Sequence, residues 1–393
     1  MNYHKYSADY VCPVSHPPIA QGVIVTDAVG TILDICNPGT HDPASVLHLP
    51  GLLVPGFINT HCHLELSHLQ SVIPTGTGLI EFIKDIVTKR DRQGEQILDA
   101  IAQADRQMLA EGIMAVGDIS NTMDGLATKV RSDITYYSFV EMFDFMSAEW
   151  TPRAVAQYTP VYQDYLQAGQ LVSAVPHAPY TVSDQLYQYI HTLNSPEATI
   201  SIHNQETVHE NQLFLTGEGD FPDFFRRFGL DFHSPVSGRT AIHHALERLD
   251  SQQCTLFVHN TQSNLHDIQT ALAWNKRTYW ATCANANLYI ENRLPNYKNF
   301  LQAGAKLTIG TDSLASNWQL SVLAEMKTIL RYNSWLTLEE VLKWATLHGA
   351  EALGLAHQLG SLQPGKKPGL IHLNTRAEDP FALGDGVTVS RVI

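Results

Sequence analysis

Four proton-active side chains, His61, His63, Glu65 and His68, fall within eight residues of the stretch LLVPGFINTHCHLELSHL. Imidazoles bind divalent ions or move protons near neutrality, and a carboxylate among them can do either. Phe57-Ile58-Asn59-Thr60 is strand-like material behind the Pro55-Gly56 pair, which predicts a buried strand running into His61. Side chains two apart on an extended backbone point the same way, so His61 and His63 can present two ring nitrogens to one point. With 19 histidines in 393 residues, a single His-x-His arises easily by chance, and a metal site needs partners elsewhere in the chain.

Those partners stand at the ends of later apolar runs. His203 closes TISIH, His259 closes CTLFVH, and Asp312 follows KLTIGT. Taken singly, each has a plainer reading: a histidine after a strand bonds to its neighbours, and Asp312 in GTDS bonds to its own turn. Taken together, they form a constellation of His61, His63, His203 and Asp312 around one divalent ion, with His259 nearby. Three neutral imidazoles and one carboxylate suit zinc and also iron, and leave a net charge of about +1 that makes a bound water acidic near neutrality. Glu206, three residues beyond His203 in HNQETVHE, reaches over the same point as a proton carrier, with His259 helping to orient and deprotonate the water. The plainer role for Glu206 is a helix cap or a solvated carboxylate.

The elements that must position these residues alternate. FINTH, IMAVGDIS, ITYYSFVEMF, LVSAVP, TISIH, CTLFVH, TYWAT and KLTIGT are strand candidates, separated by helix-patterned segments such as 97–112, 152–168, 182–193, 238–250, 264–275 and 319–332. This predicts an α/β chain folded as a TIM-like (β/α)8 barrel, with the metal-capable residues at the strand ends. A doubly wound sheet is the alternative; ligands spread along the whole length favour closure. GVIVTDAVGTILDI near the start, and LGSLQPGKKPGLIHLN after the helix VLKWATLHGAEALGL, predict a small β-sandwich from residues 1–50 plus 355–393, leaving 51–354 as the catalytic barrel.

A net charge of -14 disfavours a general nucleic-acid or anionic-membrane binder. Cys12, Cys36, Cys62, Cys254 and Cys283 are scattered and odd in number, as free thiols in a reducing compartment would be. No segment approaches eighteen uninterrupted apolar residues, so a cytoplasmic enzyme is expected. Its partner is expected to be a small molecule, with no nucleic acid polymer and no membrane; a homo-oligomer is compatible. Residues 207–237 make a long excursion carrying Phe214, Phe221, Phe224, Phe225, Phe228 and Phe232, some packing a lid core and others available to a flat ring. TGTGLIEFIKDIV reads as a glycine-flexed loop entering an amphipathic helix, not a phosphate cradle.

The separated motifs, in this order and over nearly the whole chain, resemble the amidohydrolase superfamily. The likeness is greatest to its cytosine, guanine and nucleoside deaminase and chlorohydrolase branch, and especially to aminofutalosine deaminase-like enzymes. In PGFINTHCHLELSH, His61 and His63 match the first-strand ligands; in VPHAPYTVS, His177 matches a substrate-pocket histidine; in IHNQE, His203 matches the third histidine ligand and Glu206 the proton shuttle. His259 in FVHNT matches the sixth-strand histidine, and Asp312 in IGTDSLASN the last ligand and proton acceptor. Two departures stand out. LVSAVPHAPYTVS lacks the carboxylated lysine of two-metal relatives, which implies one ion. In CANANLYIENRLPN, Ala284 and Ala286 replace the proline and serine of CP-x-SN while Asn287 is kept.

The resemblance implies hydrolytic deamination of an amino-heterocycle or nucleoside. Glu206 protonates a ring nitrogen, the activated water attacks the amino-bearing carbon, and Asp312 with His259 manages the water proton. His177, Glu65, Ser313 and Asn317 are second-rank candidates for substrate contact, Glu65 being equally suited to hold an entrance loop. The same centre also serves hydrolysis of an amide, cyclic amide or chlorinated heterocycle, and a noncatalytic metal-stabilised binding protein is a third reading.

Overall fold

The computed structural model describes residues 3–90, 94–227, 229–230, 232 and 235–393. Each of the eight apolar runs forms a strand: β1 Phe57–Cys62, β2 Ile113–Ile119, β3 Thr135–Met142, β4 Leu171–Pro176, β5 Thr199–Asn204, β6 Cys254–His259, β7 Thr278–Thr282 and β8 Lys306–Ile309. Nearly every residue in them is buried, because one face meets the barrel interior and the other the helices, and the polar residues among them are mostly small Ser and Thr. Neighbours pair in parallel and in chain order, β1 to β4 and β5 to β8.

The two halves close on each other at two seams with sparser hydrogen bonding. Between β4 and β5, His203 N donates to His177 O at 3.0 Å and Ser173 Oγ to Thr199 O at 2.6 Å. Between β8 and β1, Thr311 N and Asp312 N both donate to His61 O at 3.0 Å, and Thr60 Oγ1 to Ile309 O at 3.0 Å. The fold is therefore the expected eight-stranded α/β barrel. Its seams pass through His61, His203 and Asp312, whose backbone groups make the hydrogen bonds across them.

Helices Gly94–Ala110, Thr151–Gln167, Asp184–Leu193, Leu265–Trp274 and Val322–Tyr332 follow strands as predicted. The one expected over 238–250 is shorter, Ala241–Leu246. VLKWATLHGAEALGL is not one helix. It divides between Leu338–Ala345 and Leu347–Ala352 at Thr346 (φ -136, ψ -84), whose Oγ1 bonds Leu342 O at 2.5 Å. A side-chain hydroxyl competing for a backbone acceptor is a local reason for such a break.

The small β domain draws strands from both ends of the chain. His4–Val11, Ile19–Ala20, Val23–Thr26, Ile32–Cys36 and Leu47–Pro55 share a seven-stranded sheet with Leu370–Leu373 and Val389–Arg391. Leu47–Pro55 pairs in parallel with His4–Val11 and antiparallel with Leu370–Leu373, then leads through Gly56 into β1. The principal apolar core fills and surrounds the barrel, and a second cluster including Leu69, Leu79, Phe82, Phe221 and Phe225 roofs its rim. All five cysteines are free. Among the described residues, no helix is long and apolar enough to cross a membrane.

Candidate metal centre and active site

His61 lies within β1, fully buried, and His63 stands one residue beyond it, at the entrance to the 3-10 helix Leu64–Leu69. Their Nε2 atoms are 3.2 Å apart, and His203 Nε2 is 3.3 Å from His63 Nε2. Asp312 Oδ1 lies 3.6 Å from His61 Nε2 and 3.4 Å from His63 Nε2. Donors about 2.0–2.1 Å from a common ion stand about 3.4 Å apart at tetrahedral angles, which these four separations match. His61, His63 and Asp312 form one group with all donor atoms within 4.8 Å of one another, and His61, His203 and His259 another. The supporting bonds leave the right atoms free. His203 Nδ1 donates to His177 O at 2.8 Å, which fixes Nε2 as the lone-pair atom, and Asp312 Oδ2 accepts from Ser316 Oγ at 2.6 Å, which leaves Oδ1.

Electrostatics favour the ligand forms. Burial lowers the His61 pKa to about 4 and holds His203 well below the usual imidazole value, so both rings are neutral. Burial alone would push Asp312 up, but the surrounding His61, His63 and His259 outweigh it and keep the carboxyl below its ordinary range. His68 does not join this group; its Nε2 donates to Arg90 O at 2.9 Å.

Glu206 is buried beside the cluster, with Oε2 3.6 Å from His259 Nε2. Burial first, and then the charges of Asp312 and Glu291, raise its pKa well above the usual value, which favours the protonated carboxyl. Asn287 Oδ1 accepts from His259 Nδ1 at 2.9 Å, which leaves the Nε2 lone pair facing Glu206; burial lowers the His259 pKa and keeps that ring neutral. Gln205 (φ 48), His259 (φ 72) and Asp312 (φ 58) are all left-handed. Such strain costs about 1–3 kcal/mol per residue and persists only where surrounding bonds impose it. At the first of these turns, Glu210 accepts from both Gln205 N at 2.8 Å and Glu206 N at 3.0 Å.

The cluster floors a cavity of about 390 Å³, a volume suited to a small-molecule ligand. One wall is helix Leu79–Lys89, the predicted amphipathic segment, through Leu79, Phe82, Ile83 and Ile86. Phe224 and Phe225 of helix Phe221–Arg227 contribute from the long excursion, with Phe232 stacked on Phe225 at 4.3 Å. Phe214 packs away from the cavity against His244, and Phe228 lies outside the described residues.

Of the second-rank residues, His177, Glu65 and Ser313 line the cavity. Glu65 also ties down a loop, accepting from Asn121 N, Thr122 N and Thr122 Oγ1 at 3.1 Å each. Asn317 sits behind the rim instead: its Nδ2 donates to Thr311 O and to Glu325 Oε1, both at 2.8 Å, and its Oδ1 accepts from Trp318 N at 2.7 Å. With both ends of its amide committed, it supports the Asp312 loop in place of the expected substrate contact. Glu141 went unnoticed in the sequence. It bonds His177 Nδ1 at 2.7 Å, lies 3.3 Å from His203 Nδ1 and lines the cavity. Burial opposes its charge, but His177 outweighs burial and holds it below the usual range; reciprocally, Glu141 raises His177 against the effect of burial. A single charged residue in the buried strand ITYYSFVEMF was the available signal.

Residues 52–393 match the Amidohydrolase family. The adenosine deaminase of Helicobacter pylori is 26% identical over 326 residues, spanning 81% of this chain and 78% of that protein. The crystal structure of Helicobacter pylori aminofutalosine deaminase in complex with methylthio-coformycin has a TM-score of 0.83 at 23% identity, covering 99% of this chain and 100% of that one. An adenosine deaminase from Xanthomonas campestris with bound zinc has a TM-score of 0.73 at 21% identity, covering 96% and 85%. At these identities the structural likeness is one of fold.

Proposed function

The chain belongs to the amidohydrolase family, and on that premise we propose that it is a metal-dependent aminohydrolase replacing the amino group of an aminated heterocycle with oxygen, an adenine-type nucleoside such as aminofutalosine being the favoured substrate. The observation that carries this reading is a set of four donors, with neighbouring atoms 3.2–3.6 Å apart, beside a buried carboxyl whose pKa burial raises. His61, His63, His203 and Asp312 hold the ion, which we assign as zinc, with iron the alternative. When bound, the ion supplies an acidified water near neutral pH.

Glu206 donates its proton to the ring nitrogen next to the amino-bearing carbon, so that carbon accepts the water oxygen. Asp312, ionised and adjacent, takes the water proton, and His259, oriented by Asn287, keeps the attacking oxygen on line. The carbon–nitrogen bond then breaks, the amino group leaves as ammonia with the water-derived proton from Asp312, and the second water proton passes from the new hydroxyl to Glu206, leaving a carbonyl and restoring the carboxyl. His177, fixed by Glu141, and Ser313 are the side chains we assign to substrate recognition, with Glu65 as loop support and a second-rank contact. The apolar wall from helix Leu79–Lys89 and the Phe224–Phe225 pair suit a nucleoside with an apolar substituent. Similar proteins named adenosine deaminase and aminofutalosine deaminase support deamination and favour a nucleoside over a free base. On this reading residues 51–354 are the catalytic unit and residues 1–50 with 355–393 the small β domain, and the five free thiols support a cytoplasmic location.

Ammonia release across aminated purines, pyrimidines and nucleosides, paired with mass spectrometry for amino-to-hydroxyl exchange, tests the proposal. Adenine-type nucleosides should turn over fastest. Hydrolysis of a cyclic amide or chlorinated ring, with every aminated compound unchanged, overturns deamination and leaves the metal assignment standing; turnover of free bases alone overturns the nucleoside preference.

A further inference from the structure

Away from the cavity, Asp118 at the end of β2 and Lys129 on helix Leu126–Arg131 form a buried ion pair, Oδ2 to Nζ 2.6 Å, with side chains almost wholly sealed from solvent. The ammonium also donates to Ser120 Oγ at 2.7 Å and Ser138 Oγ at 3.0 Å, so all three of its N–H groups have acceptors. It lies 4.8 Å from the Tyr165 ring centroid and 5.4 Å from that of Tyr136. A desolvated pair of this kind adds little stability over apolar residues of equal volume, so its placement calls for another reason.

The other carboxylate oxygen supplies one. Asp118 Oδ1 accepts from Leu64 N at 2.8 Å. Leu64 opens the 3-10 helix Leu64–Leu69, and His63 is its N-cap residue. Opening amides of a helix lack intrahelical acceptors, and an N-cap side chain ordinarily satisfies one of them. Among the described residues, His63 makes no such capping bond, and its ring is aimed at His61, His203 and Asp312. The capping acceptor therefore comes from the neighbouring strand. Cys62 and Asp118 are register partners in the β1–β2 ladder, which brings that carboxylate level with the turn.

We infer that Asp118 and Lys129 are positioning residues for the metal ligand His63. The carboxylate fixes the amide that follows His63, and with it the backbone that aims the imidazole; the ammonium, held by two serines, fixes the carboxylate. The inference rests on the metal site proposed above and adds to it residues that touch neither ion nor substrate.

Metal-free full-length protein is titrated with zinc against a chromophoric chelator, and thermal midpoints are recorded alongside. Asp118→Asn/Lys129→Met keeps an acceptor for Leu64 without burying a charge, and Asp118→Leu/Lys129→Met removes the acceptor, also without burying a charge. The second pair should bind zinc about 10-fold or more weakly than the first, the scale of lost outer-sphere support. A purely structural role would move the midpoint and leave the zinc affinity of the folded protein unchanged, so equal affinities overturn the inference. A wild type that binds no zinc instead overturns the metal reading beneath it. Should Asp118→Leu/Lys129→Met not fold, Lys129→Gln carries the test: the carboxylate remains but loses its cation, zinc binding should weaken about 10-fold or more, and unchanged binding overturns the inference.

Discussion

Glu206 touches none of the four proposed ligands at bonding distance in the way they touch one another, yet it shares their cavity and faces His259 across 3.6 Å. Glu206→Gln should therefore keep about one metal ion per chain while kcat falls about 10²–10⁴-fold, because an amide of the same shape cannot relay a proton. Metal analysis beside steady-state kinetics checks it; near-normal kcat at saturating substrate removes the shuttle assignment, and metal loss makes Glu206 a ligand. Asn287→Ala frees His259 Nδ1 from its acceptor and so releases the ring tautomer. There kcat should drop about 10-fold or more with KM nearly unchanged, since a water-orienting group acts in the transition state. Residues of this second kind were harder to read from the chain. His61, His63, His203 and Asp312 announce themselves by type at strand ends, whereas Asn287 and Glu141 matter only through the side chain that each bonds across the barrel.

At the scale of elements, the eight strands were legible because a strand buried on both faces is largely apolar, interrupted here by a few buried polar residues such as Ser138, Glu141 and Ser201. The helices were less so. The shortening of 238–250 to Ala241–Leu246 and the break at Thr346 depend on side-chain bonds and neighbours that a periodicity does not contain. One glycine shows how closely elements approach at the site. A Cβ on Gly310, between β8 and Asp312, would meet His61 Cβ at 2.7 Å, Cys283 Sγ at 2.9 Å and His61 O at 3.0 Å. Those atoms belong to a buried histidine of the proposed metal site, a buried thiol and a backbone carbonyl that accepts from Thr311 N and Asp312 N. Gly310→Ala must therefore push β1 from β8 at the seam carrying two of the proposed ligands, His61 and Asp312. The expected outcome is a substoichiometric metal content and a stability loss of about 1–3 kcal/mol, the usual scale for overpacking. Full metal loading with an unchanged denaturation midpoint would mean that the seam yields without disturbing the site.

Across the whole molecule, a net charge of -14 coexists with carboxyls that the fold shuts away from water. Glu325, on helix Val322–Tyr332, is fully buried. Burial pushes its pKa to about 8, against the lowering effect of bonds from Asn285 and Asn317. Below the ordinary glutamate value near 4.5, folded and unfolded chains both carry this proton, and its contribution to stability is fully present. Between there and about pH 8 the unfolded chain has released the proton and the folded chain keeps it, so the folded state binds more protons and stability falls as pH rises. Over that window the slope is at most about 1.4 kcal/mol per pH unit for one group. Thermal midpoints of metal-free protein between pH 5 and pH 8.5 should thus decline more steeply for the wild type than for Glu325→Gln, which cannot titrate. The comparison is one of slopes: an amide facing two donors can lower the midpoint at every pH, but it cannot reproduce the pH dependence of a carboxyl. Parallel curves for the two proteins would show that Glu325 ionises in the folded chain at its ordinary pH, held there by Asn285 and Asn317 against burial.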